Sequence, residues 1–401
     1  MEEKKRVLLV NQYFYPSDAA TAVLLRELVE DLAVQFDITV LCESAKGEAA
    51  EAQGYRVERR SLPSWIPERR AVASPILRWV SSFLFIVRVI GYLLVTRRFD
   101  LVILASEPPF VDMLAGLVCI VQRQPYLIIV QDLYPEFAKA VRLRPVAWFS
   151  WPLKRLHSFV ARRARNVIAI SQDHIDTLAQ RGVPVEVLIP NWAPSRVVSG
   201  EPRPMPNDDG KILVHYAGNL GLACDLDALE VALESLEAQG ELQNFQIVLR
   251  GDGIKRNQAE RIANRYQQVS YQHRVAVEEV AEALGECHAH LILMPARLQG
   301  CVYPSKANTI MASGRPMIAS IPSESTLATF IAAQRVGYVS PAEDPSQLAS
   351  CMMKCFRDLR ENPRALSEMG ARGWRYATHE WNRAQAMTRY CAVVKDALDA
   401  R

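Results

Sequence analysis

The sequence lacks the marks of several large classes of protein. Its 401 residues contain eight cysteines, and no two of them are spaced as CxxC, which argues against a disulfide framework and a structural zinc site. Neither GxGxxG nor GxxxxGKS/T occurs, which argues against a dinucleotide dehydrogenase and a P-loop nucleotidase. The net charge of +3 is too small to indicate a nucleic-acid partner. We therefore expect reduced thiols, no metal, no cofactor and no nucleic acid.

Two further absences concern the start of the chain and its composition. A short charged segment, residues 2–6, leads directly into an apolar run, so we expect no signal peptide and a cytoplasmic protein. Half of the residues are hydrophobic and 23% are charged, which excludes a disordered or fibrous chain. The length is more than one ordinary core accommodates and suits two domains.

Apolar runs of strand length alternate with longer helical patterns, which is typical of βαβ units and parallel sheets. The runs that predict strands are 7–10, 38–41, 101–104, 126–130, 167–170, 185–189, 212–216, 246–249, a weak one near Tyr271, 291–294 and 317–320. Proline and scattered charges at 196–210 indicate a linker between the two sets. The fold class is therefore α/β, with two facing, doubly wound Rossmann-like domains at 1–195 and 211–375 and a helical tail at 376–401. Ligands of such sheets bind beyond the carboxyl ends of the strands, so we expect the active site in the interdomain cleft.

A first arginine-rich stretch interrupts this rhythm. Residues 69–99 hold six arginines and no acidic residue around an apolar run at 80–95. On a helix the polar residues of this stretch share an arc of roughly 120° and leave a wide apolar face; they are Arg78, Ser81, Ser82, Arg88 and Tyr92. A spanning helix would separate residues 1–74 from their own sheet. A core helix and a monotopic membrane helix remain open.

A second basic stretch, residues 137–165, holds eight lysines or arginines and no Asp or Glu. Its aromatic residues are Trp148, Phe149, Trp151 and Phe159. Basic residues interleaved with aromatics suit anionic lipid headgroups. A solvated basic helix with its aromatics in the core explains the pattern equally well.

A glycine-bearing turn follows the first strand of the second domain. It contains Gly218, Asn219 and Gly221, and Arg250 and Gly253 follow the next strand. Glycine lets the backbone come close enough for phosphate oxygens to reach amide N–H groups. The turn alone is a weak signal, because many turns between a strand and a helix carry glycine.

The most informative segment is 303–319. Pro304 and Ser305 predict the start of a helix with Ser305 as its N-cap, and Gly314 predicts its end. Lys306 then falls in the first turn, where the helix dipole disfavours a cation. Such a placement suggests that an anion binds there, and an exposed lysine without a role is the alternative.

These segments resemble the GT-B glycosyltransferases of family 4, in particular the branch of bacterial surface-polysaccharide enzymes that includes fucosamine and colanic-acid transferases. The resemblance spans nearly the whole chain. The matching segments, in order, are 11–16, 131–136, 169–171, 189–192, 218–221, 251–253, 305–319, 337–339, 369–372 and Trp381. The tail then resembles the helix that returns to the first domain of these enzymes.

The resemblance implies a retaining transfer of a sugar from a nucleotide-diphosphate sugar, with a UDP-sugar expected by analogy. No metal is expected, because protein cations stabilise the leaving diphosphate. Lys306 and the amides of 218–221 are the candidates for this role. Further donor-site candidates are Arg250, Gly253, Ser305 and Thr309. Thr309 and Cys301 stand where many members of the family carry glutamates, and the Thr309 hydroxyl can still bind a ribose.

The first domain supplies acceptor-side candidates. Asp132 lies in the segment QDLYPE and is expected to contact the acceptor hydroxyl as a base or an orienting group. A helix N-cap is the alternative for Asp132. Glu107 follows a strand, Glu136 lies in the first turn of a helix, and Tyr15 belongs to the first loop.

The expected function is the extension of a lipid-linked glycan in envelope or exopolysaccharide synthesis. The protein would dock peripherally on the cytoplasmic face of the membrane through its N-terminal domain. Two alternatives stay open: a nucleotide-sugar epimerase of the same fold, and a non-catalytic GT-B subunit that works with a protein partner.

Overall fold

In the computed structural model, residues 3–17, 19–43, 54–60, 75–96, 99–141, 149–206 and 210–400 are described. The chain forms two compact units. The first comprises Met1–Asn191, Gly300–Tyr303 and Ala384–Arg401, and the second comprises Trp192–Gln299 and Pro304–Arg383. Most of the C-terminal helix therefore belongs to the first unit.

The first unit is built on a seven-stranded parallel sheet with the order β3-β2-β1-β4-β5-β6-β7. Its strands are β1 (Arg6–Val10), β2 (Asp37–Glu43), β3 (Arg56–Arg60), β4 (Leu101–Ala105), β5 (Tyr126–Val130), β6 (Val167–Ala169) and β7 (Val187–Leu188). Its helices are Ala20–Leu32, Pro75–Val95, Val111–Gln122, Glu136–Ala140, Ser150–Ala161, Gln172–Ala179 and the main part of Arg383–Asp399. β4 and β5 are buried along their whole length, as expected of parallel strands that are covered on both faces.

The sequence predicted every strand of this sheet except β3. That strand reads Arg-Val-Glu-Arg-Arg, and it pairs only with β2 at the edge of the sheet. An edge strand needs no continuous apolar run, because one side meets solvent. β7 is shorter than the predicted 185–189.

The helix Pro75–Val95 turns part of its polar arc toward the sheet. Ser81 is buried and donates a hydrogen bond to Glu43 Oε1 at 3.1 Å, and Ser82 donates to Gln12 Oε1 at 3.2 Å. Part of the apolar face is left exposed, and the exposed residues are Trp79, Phe83, Val87, Leu94 and Val95. Four other apolar side chains of the same helix are buried, namely Phe85, Ile86, Val89 and Leu93, so the helix has apolar residues on its buried side and on its exposed side. The side chain of Arg78 lies outside the described residues.

The second unit is built on a six-stranded parallel sheet with the order β10-β9-β8-β11-β12-β13. Its strands are β8 (Ile212–Ala217), β9 (Phe245–Arg250), β10 (Val269–Gln272), β11 (Ala289–Leu293), β12 (Met317–Ile321) and β13 (Gly337–Pro341). Its α-helices are Leu226–Ala238, Arg256–Arg265, Val280–Gly285, Lys306–Ala312, Thr326–Gln334, Gln347–Glu361 and Pro363–Arg375. The sequence predicted all of these strands except β13, which pairs only with β12.

The predicted linker packs onto the second unit. Arg315 is fully buried, and its guanidinium donates hydrogen bonds to the carbonyl oxygens of Arg203 (2.7 Å), Pro204 (2.7 Å) and Gly285 (2.6 Å). The Trp374 indole N–H donates to the Ser199 carbonyl at 3.1 Å. Backbone carbonyls satisfy this buried charge in place of a carboxylate. Residues 207–209 lie outside the described part.

None of the described helices is both long enough and apolar enough to cross a membrane. The described residues also contain no group of three or more His, Cys, Asp or Glu side chains placed to hold a metal ion.

Candidate functional site

In the second unit, two turns at the carboxyl ends of β8 and β9 are joined by backbone hydrogen bonds. Gly218 N–H donates to the Arg250 carbonyl at 3.0 Å, and Leu220 N–H donates to the Asp252 carbonyl at 2.9 Å. A Cβ atom at Gly253 would lie 2.4 Å from the Leu220 carbonyl oxygen, and its φ of 152° also favours glycine. The glycines are therefore needed for the close approach of the two turns.

This geometry corrects one expectation about the phosphate-binding amides. Gly218 N–H is already used within the protein, so it is not a donor for a phosphate. Asn219 and Gly221 lie in the same turn, and their N–H groups make no backbone hydrogen bond to any described residue. These two amides remain donor candidates.

Lys306 lies directly against this turn. A Cβ atom at Gly218 would be 3.2 Å from its Nζ atom, and Nζ sits 3.6 Å from the centroid of the Tyr216 ring. Nζ has no carboxylate or hydrogen-bond acceptor within the described residues, and burial lowers the pKa of Lys306 to about 8. A half-buried ammonium held only by a cation–π contact can bind an incoming anion.

The remaining predicted donor-site residues are placed differently from one another. Ser305 precedes the helix Lys306–Ala312 as predicted, but its backbone is helical and its side chain makes no capping hydrogen bond, so the capping prediction is wrong. The Thr309 hydroxyl donates to the Lys306 carbonyl at 2.8 Å. Arg250 points along the sheet edge, where it bonds Gln272 at 2.6 Å and Glu286 at 3.2 Å. Its charge is therefore already engaged.

In the first unit, Glu107 and Asp132 follow the neighbouring strands β4 and β5. Ser106 joins the two strand ends, because its Oγ atom accepts hydrogen bonds from the amides of Gln131 (2.9 Å) and Asp132 (3.2 Å). The helix beyond Asp132 begins at Glu136 with Pro135 at its N-cap position. Asp132 therefore does not cap this helix, and that alternative is excluded.

Both carboxyl groups are harder to ionise than usual. Burial raises the pKa of Asp132 to about 6. Burial and then the charge of Asp132 raise the pKa of Glu107 to about 7, against the opposing effect of hydrogen bonds with Thr21 and Asn11. A carboxyl that titrates near neutral pH at the end of a central strand is a candidate general base.

The other acceptor-side candidates have structural partners. Glu136 forms an ion pair with Lys154 at 3.0 Å and a second one with Arg181. The Tyr15 ring packs under Arg26 at 4.0 Å, and its carbonyl accepts a hydrogen bond from Arg59. These contacts account for both residues without a ligand.

Cys301 belongs to the first unit, although it precedes the helix of Lys306. Its carbonyl accepts a hydrogen bond from Leu133 N–H at 2.9 Å. Burial raises the pKa of its thiol to about 12, so the thiol stays protonated. The buried His290 contacts Cys287 at 3.2 Å, as expected for a structural pair.

Two residues of the site escaped the sequence analysis. Tyr216 carries the cation–π contact, and its hydroxyl donates to the Asn219 carbonyl at 2.8 Å, which fixes the turn. Its position at the end of a strand was the available signal. Ser106 is a small residue before Glu107, and no feature of the sequence marks its bonds to the next strand.

Comparison with known proteins identifies the family. Residues 20–192 match the Glycosyl transferase 4-like domain, and residues 211–358 match Glycosyl transferases group 1. The chain belongs to the GT-B glycosyltransferases. This glycosyltransferase is also similar to the probable glycosyltransferase WbjE of Pseudomonas aeruginosa, with 23% identity over 362 residues, which is 86% of this chain and 88% of WbjE.

Solved structures share the fold of this glycosyltransferase at low sequence identity. Anabaena Alr3699/HepE, crystallised with UDP, has a TM-score of 0.66 at 14% identity, over 97% of this chain and 99% of that one. Sucrose-phosphate synthase from Thermosynechococcus elongatus has a TM-score of 0.71 at 16% identity, over 99% and 100%. At this identity the likeness concerns the fold.

Proposed function

We propose that this glycosyltransferase transfers a sugar from a UDP-sugar to a hydroxyl group of a lipid-linked glycan, with retention at the anomeric carbon, in envelope or exopolysaccharide synthesis. The observation that carries the proposal is the Lys306 ammonium, half-buried against the glycine turn without an anionic partner among the described residues. The relative Alr3699/HepE was crystallised with UDP and with UDP-glucose, which supports a UDP-sugar donor.

The second unit binds the diphosphate of the donor. The Lys306 ammonium and the amides of Asn219 and Gly221 neutralise the charge that develops when the bond between the sugar and the phosphate breaks. Fixed charges of this kind need no reorganisation during the reaction, and a protein cation can take the place of a metal ion. The glycine turn admits the phosphate because it carries no side chain at Gly218 and Gly221.

The first unit binds the acceptor. Asp132 accepts the proton of the acceptor hydroxyl while a bond forms between that oxygen and the anomeric carbon. The hydroxyl approaches from the face that the diphosphate leaves, so the configuration is retained. The bond between the anomeric carbon and the phosphate oxygen breaks as the new bond forms, and the nucleoside diphosphate departs with the electron pair. The raised pKa of Asp132, about 6, suits proton acceptance near neutral pH.

Two surfaces of the first unit support a lipid-linked acceptor at the cytoplasmic membrane face. The first is the exposed apolar face of the helix Pro75–Val95, where Phe83 is 65% exposed. The second is the basic helix Ser150–Ala161, where Trp151 is 64% exposed with Arg155 4.4 Å over its ring. Apolar side chains flanked by cations match the interface of an anionic bilayer.

The decisive experiment is the thermal stability of the protein with UDP, GDP, ADP, CDP or dTDP, in the absence of metal. A nucleotide at about 100 times its Kd stabilises the native state by roughly 2.7 kcal/mol. We expect a selective shift with UDP. A selective shift with a different nucleotide would show that the donor carries that nucleotide in place of UDP. A folded protein that responds to none of the five would overturn the proposal.

A second candidate is a GT-B subunit that binds a catalytic partner and transfers no sugar itself. Cys301 favours it, because a buried protonated thiol stands where many members of the resembling family carry a glutamate. The nucleotide experiment separates the two candidates, because the second one predicts no response to any nucleotide.

A further inference from the structure

The carboxyl ends of β4 and β5 are held together by one buried hydroxyl group. Ser106 is 3% exposed, and its Oγ atom accepts the amide hydrogens of Gln131 and Asp132. Ser106 N–H in turn donates to the Ile129 carbonyl at 3.2 Å. Glu107 and Asp132 therefore leave the same edge of the sheet from neighbouring strands whose ends are fixed relative to each other.

The surroundings of Glu107 favour a protonated carboxyl group. Hydrogen bonds with Thr21 and Asn11 favour the ionised form, but burial and the charge of Asp132 outweigh them. The Oε2 atom of Glu107 is buried and has no hydrogen-bond partner among the described residues. An unpartnered buried carboxylate oxygen is costly, whereas a neutral carboxyl loses much less on burial.

The described residues supply no compensating cation to the two carboxyl groups. The titratable groups that interact with them from the neighbouring segments are Tyr134, beyond β5, and Cys301, from the segment 300–303. Tyr13, beyond β1, also acts on Tyr134. No lysine or arginine of the described chain offsets the charge of Glu107 or Asp132. The negative charge of an ionised Asp132 therefore hinders the ionisation of Glu107.

We propose that Glu107 and Asp132 share one proton, which Glu107 holds as a positioning residue, so that Asp132 remains the ionised group that meets the acceptor hydroxyl. The role toward the acceptor rests on the proposed function, but the shared proton does not. The pair then carries one negative charge, and Glu107 can donate a hydrogen bond within the site. Loss of the proton from Glu107 places a second negative charge there.

The test is a double-mutant cycle that needs no substrate. The melting temperatures of the wild type, Glu107→Gln, Asp132→Asn and the double variant are compared at pH 5 and pH 8. A carboxyl kept protonated in the folded state stabilises that state most at low pH, and this contribution is lost as pH rises from about 4.5 to about 7. The melting temperature of Glu107→Gln, relative to that of the wild type, should therefore rise by about 2 °C or more from pH 5 to pH 8.

In the Asp132→Asn background, the double variant is compared with Asp132→Asn alone. Its relative melting temperature should rise less between pH 5 and pH 8, because the charge that hinders ionisation of Glu107 is gone. A purely structural role of Glu107 predicts equal gains in both backgrounds, and equal gains would overturn the proposal. The absence of any gain with pH would overturn it as well. Asp132→Ser replaces Asp132→Asn if the latter does not fold.

Glu43→Gln is the matched control, since Glu43 is a buried carboxylate of the same sheet that accepts hydrogen bonds from Gln12 and Ser81. The change in melting temperature caused by Glu43→Gln should be the same with Asp132 and with Asn at position 132. If Glu107 and Asp132 do not share a proton, the double-mutant cycle shows no coupling but the protein still responds to nucleotide. If the proposed function is wrong, the response to nucleotide is lost but the coupling in the cycle remains. The two failures are therefore distinguishable.

Discussion

At the scale of single residues, the proposed donor site depends on a lysine that has no anionic partner among the described residues. Lys306 has the Tyr216 ring below it and Gly218 beside it. A half-buried cation without an anion weakens its own unit, because burial disfavours the charged form. A bound diphosphate would supply the missing charge, so that ligand binding and stability are coupled at this residue.

Lys306→Ala should lower the transfer rate by two or more orders of magnitude, because the developing charge on the diphosphate loses its cation. It should also abolish the stabilisation by nucleotide while the protein stays folded. Turnover and thermal shift with UDP measure the two effects. Lys354→Ala is the matched control, since Lys354 lies 5.7 Å over the Tyr338 ring in the same unit. Normal turnover by Lys306→Ala would disprove the assignment of Lys306 to the phosphate.

At the scale of elements, the helix Pro75–Val95 shows how a sequence pattern can leave orientation open. The pattern separates a polar arc from an apolar face, but it does not decide which side meets the sheet. Gln12 and Glu43, at the ends of β1 and β2, bond the serines of the helix. These polar contacts turn part of the arc inward, together with buried apolar residues of the helix such as Phe85 and Val89, while Phe83 is left exposed.

Phe83→Asp should weaken binding to vesicles of phosphatidylglycerol and phosphatidylethanolamine about tenfold or more, because one buried aromatic side chain contributes on the order of 1.5–3 kcal/mol. Co-sedimentation with the vesicles measures the loss. Val34→Asp is the control, since Val34 is an exposed apolar residue outside this helix. Equal binding by Phe83→Asp and the wild type would exclude this helix from the membrane contact.

At the scale of the whole molecule, buried neutral histidines link folding to pH. In the second unit, burial lowers the pKa of His290 to about 4 and that of His215 to about 3. In the first unit, burial lowers the pKa of His174 to about 4. An unfolded histidine takes up its proton near pH 6.5. The unfolded chain therefore binds more protons than the folded one between these values, so stability falls as pH is lowered.

The urea midpoint of the second unit should therefore fall between pH 7 and pH 5. Glu107 and Asp132 have the opposite effect, but they belong to the first unit. Unfolding of the second unit can be followed by tryptophan fluorescence once the four tryptophans of the first unit are replaced by phenylalanine, because the remaining three, Trp192, Trp374 and Trp381, belong to the second unit. His290→Asn should reduce the dependence on pH, and His273→Gln, which changes an exposed histidine, is the control. A midpoint that is constant from pH 7 to pH 5 would contradict the prediction.

The sequence by itself determined the two α/β units, eleven of the thirteen strands in the described part of the chain and the position of Lys306 at a helix start. Periodicity and turn residues carry this information, because strand burial and helix ends depend on nearby residues. The missed strands β3 and β13 lie at sheet edges, where burial imposes the weakest pattern. The order of motifs along the chain predicted the GT-B fold.

Only the tertiary structure decided which groups meet. The contact of Lys306 with Tyr216 joins positions 90 residues apart, and the hydrogen bond that Ser106 Oγ accepts from Asp132 N–H joins neighbouring strands across a helix. Two further contacts also join residues that are distant in the sequence. Gly218 N–H donates to the Arg250 carbonyl, and Ser81 of the helix Pro75–Val95 donates to Glu43. The physical reason is that each contact depends on strand order and register, which bring together residues that no local pattern relates.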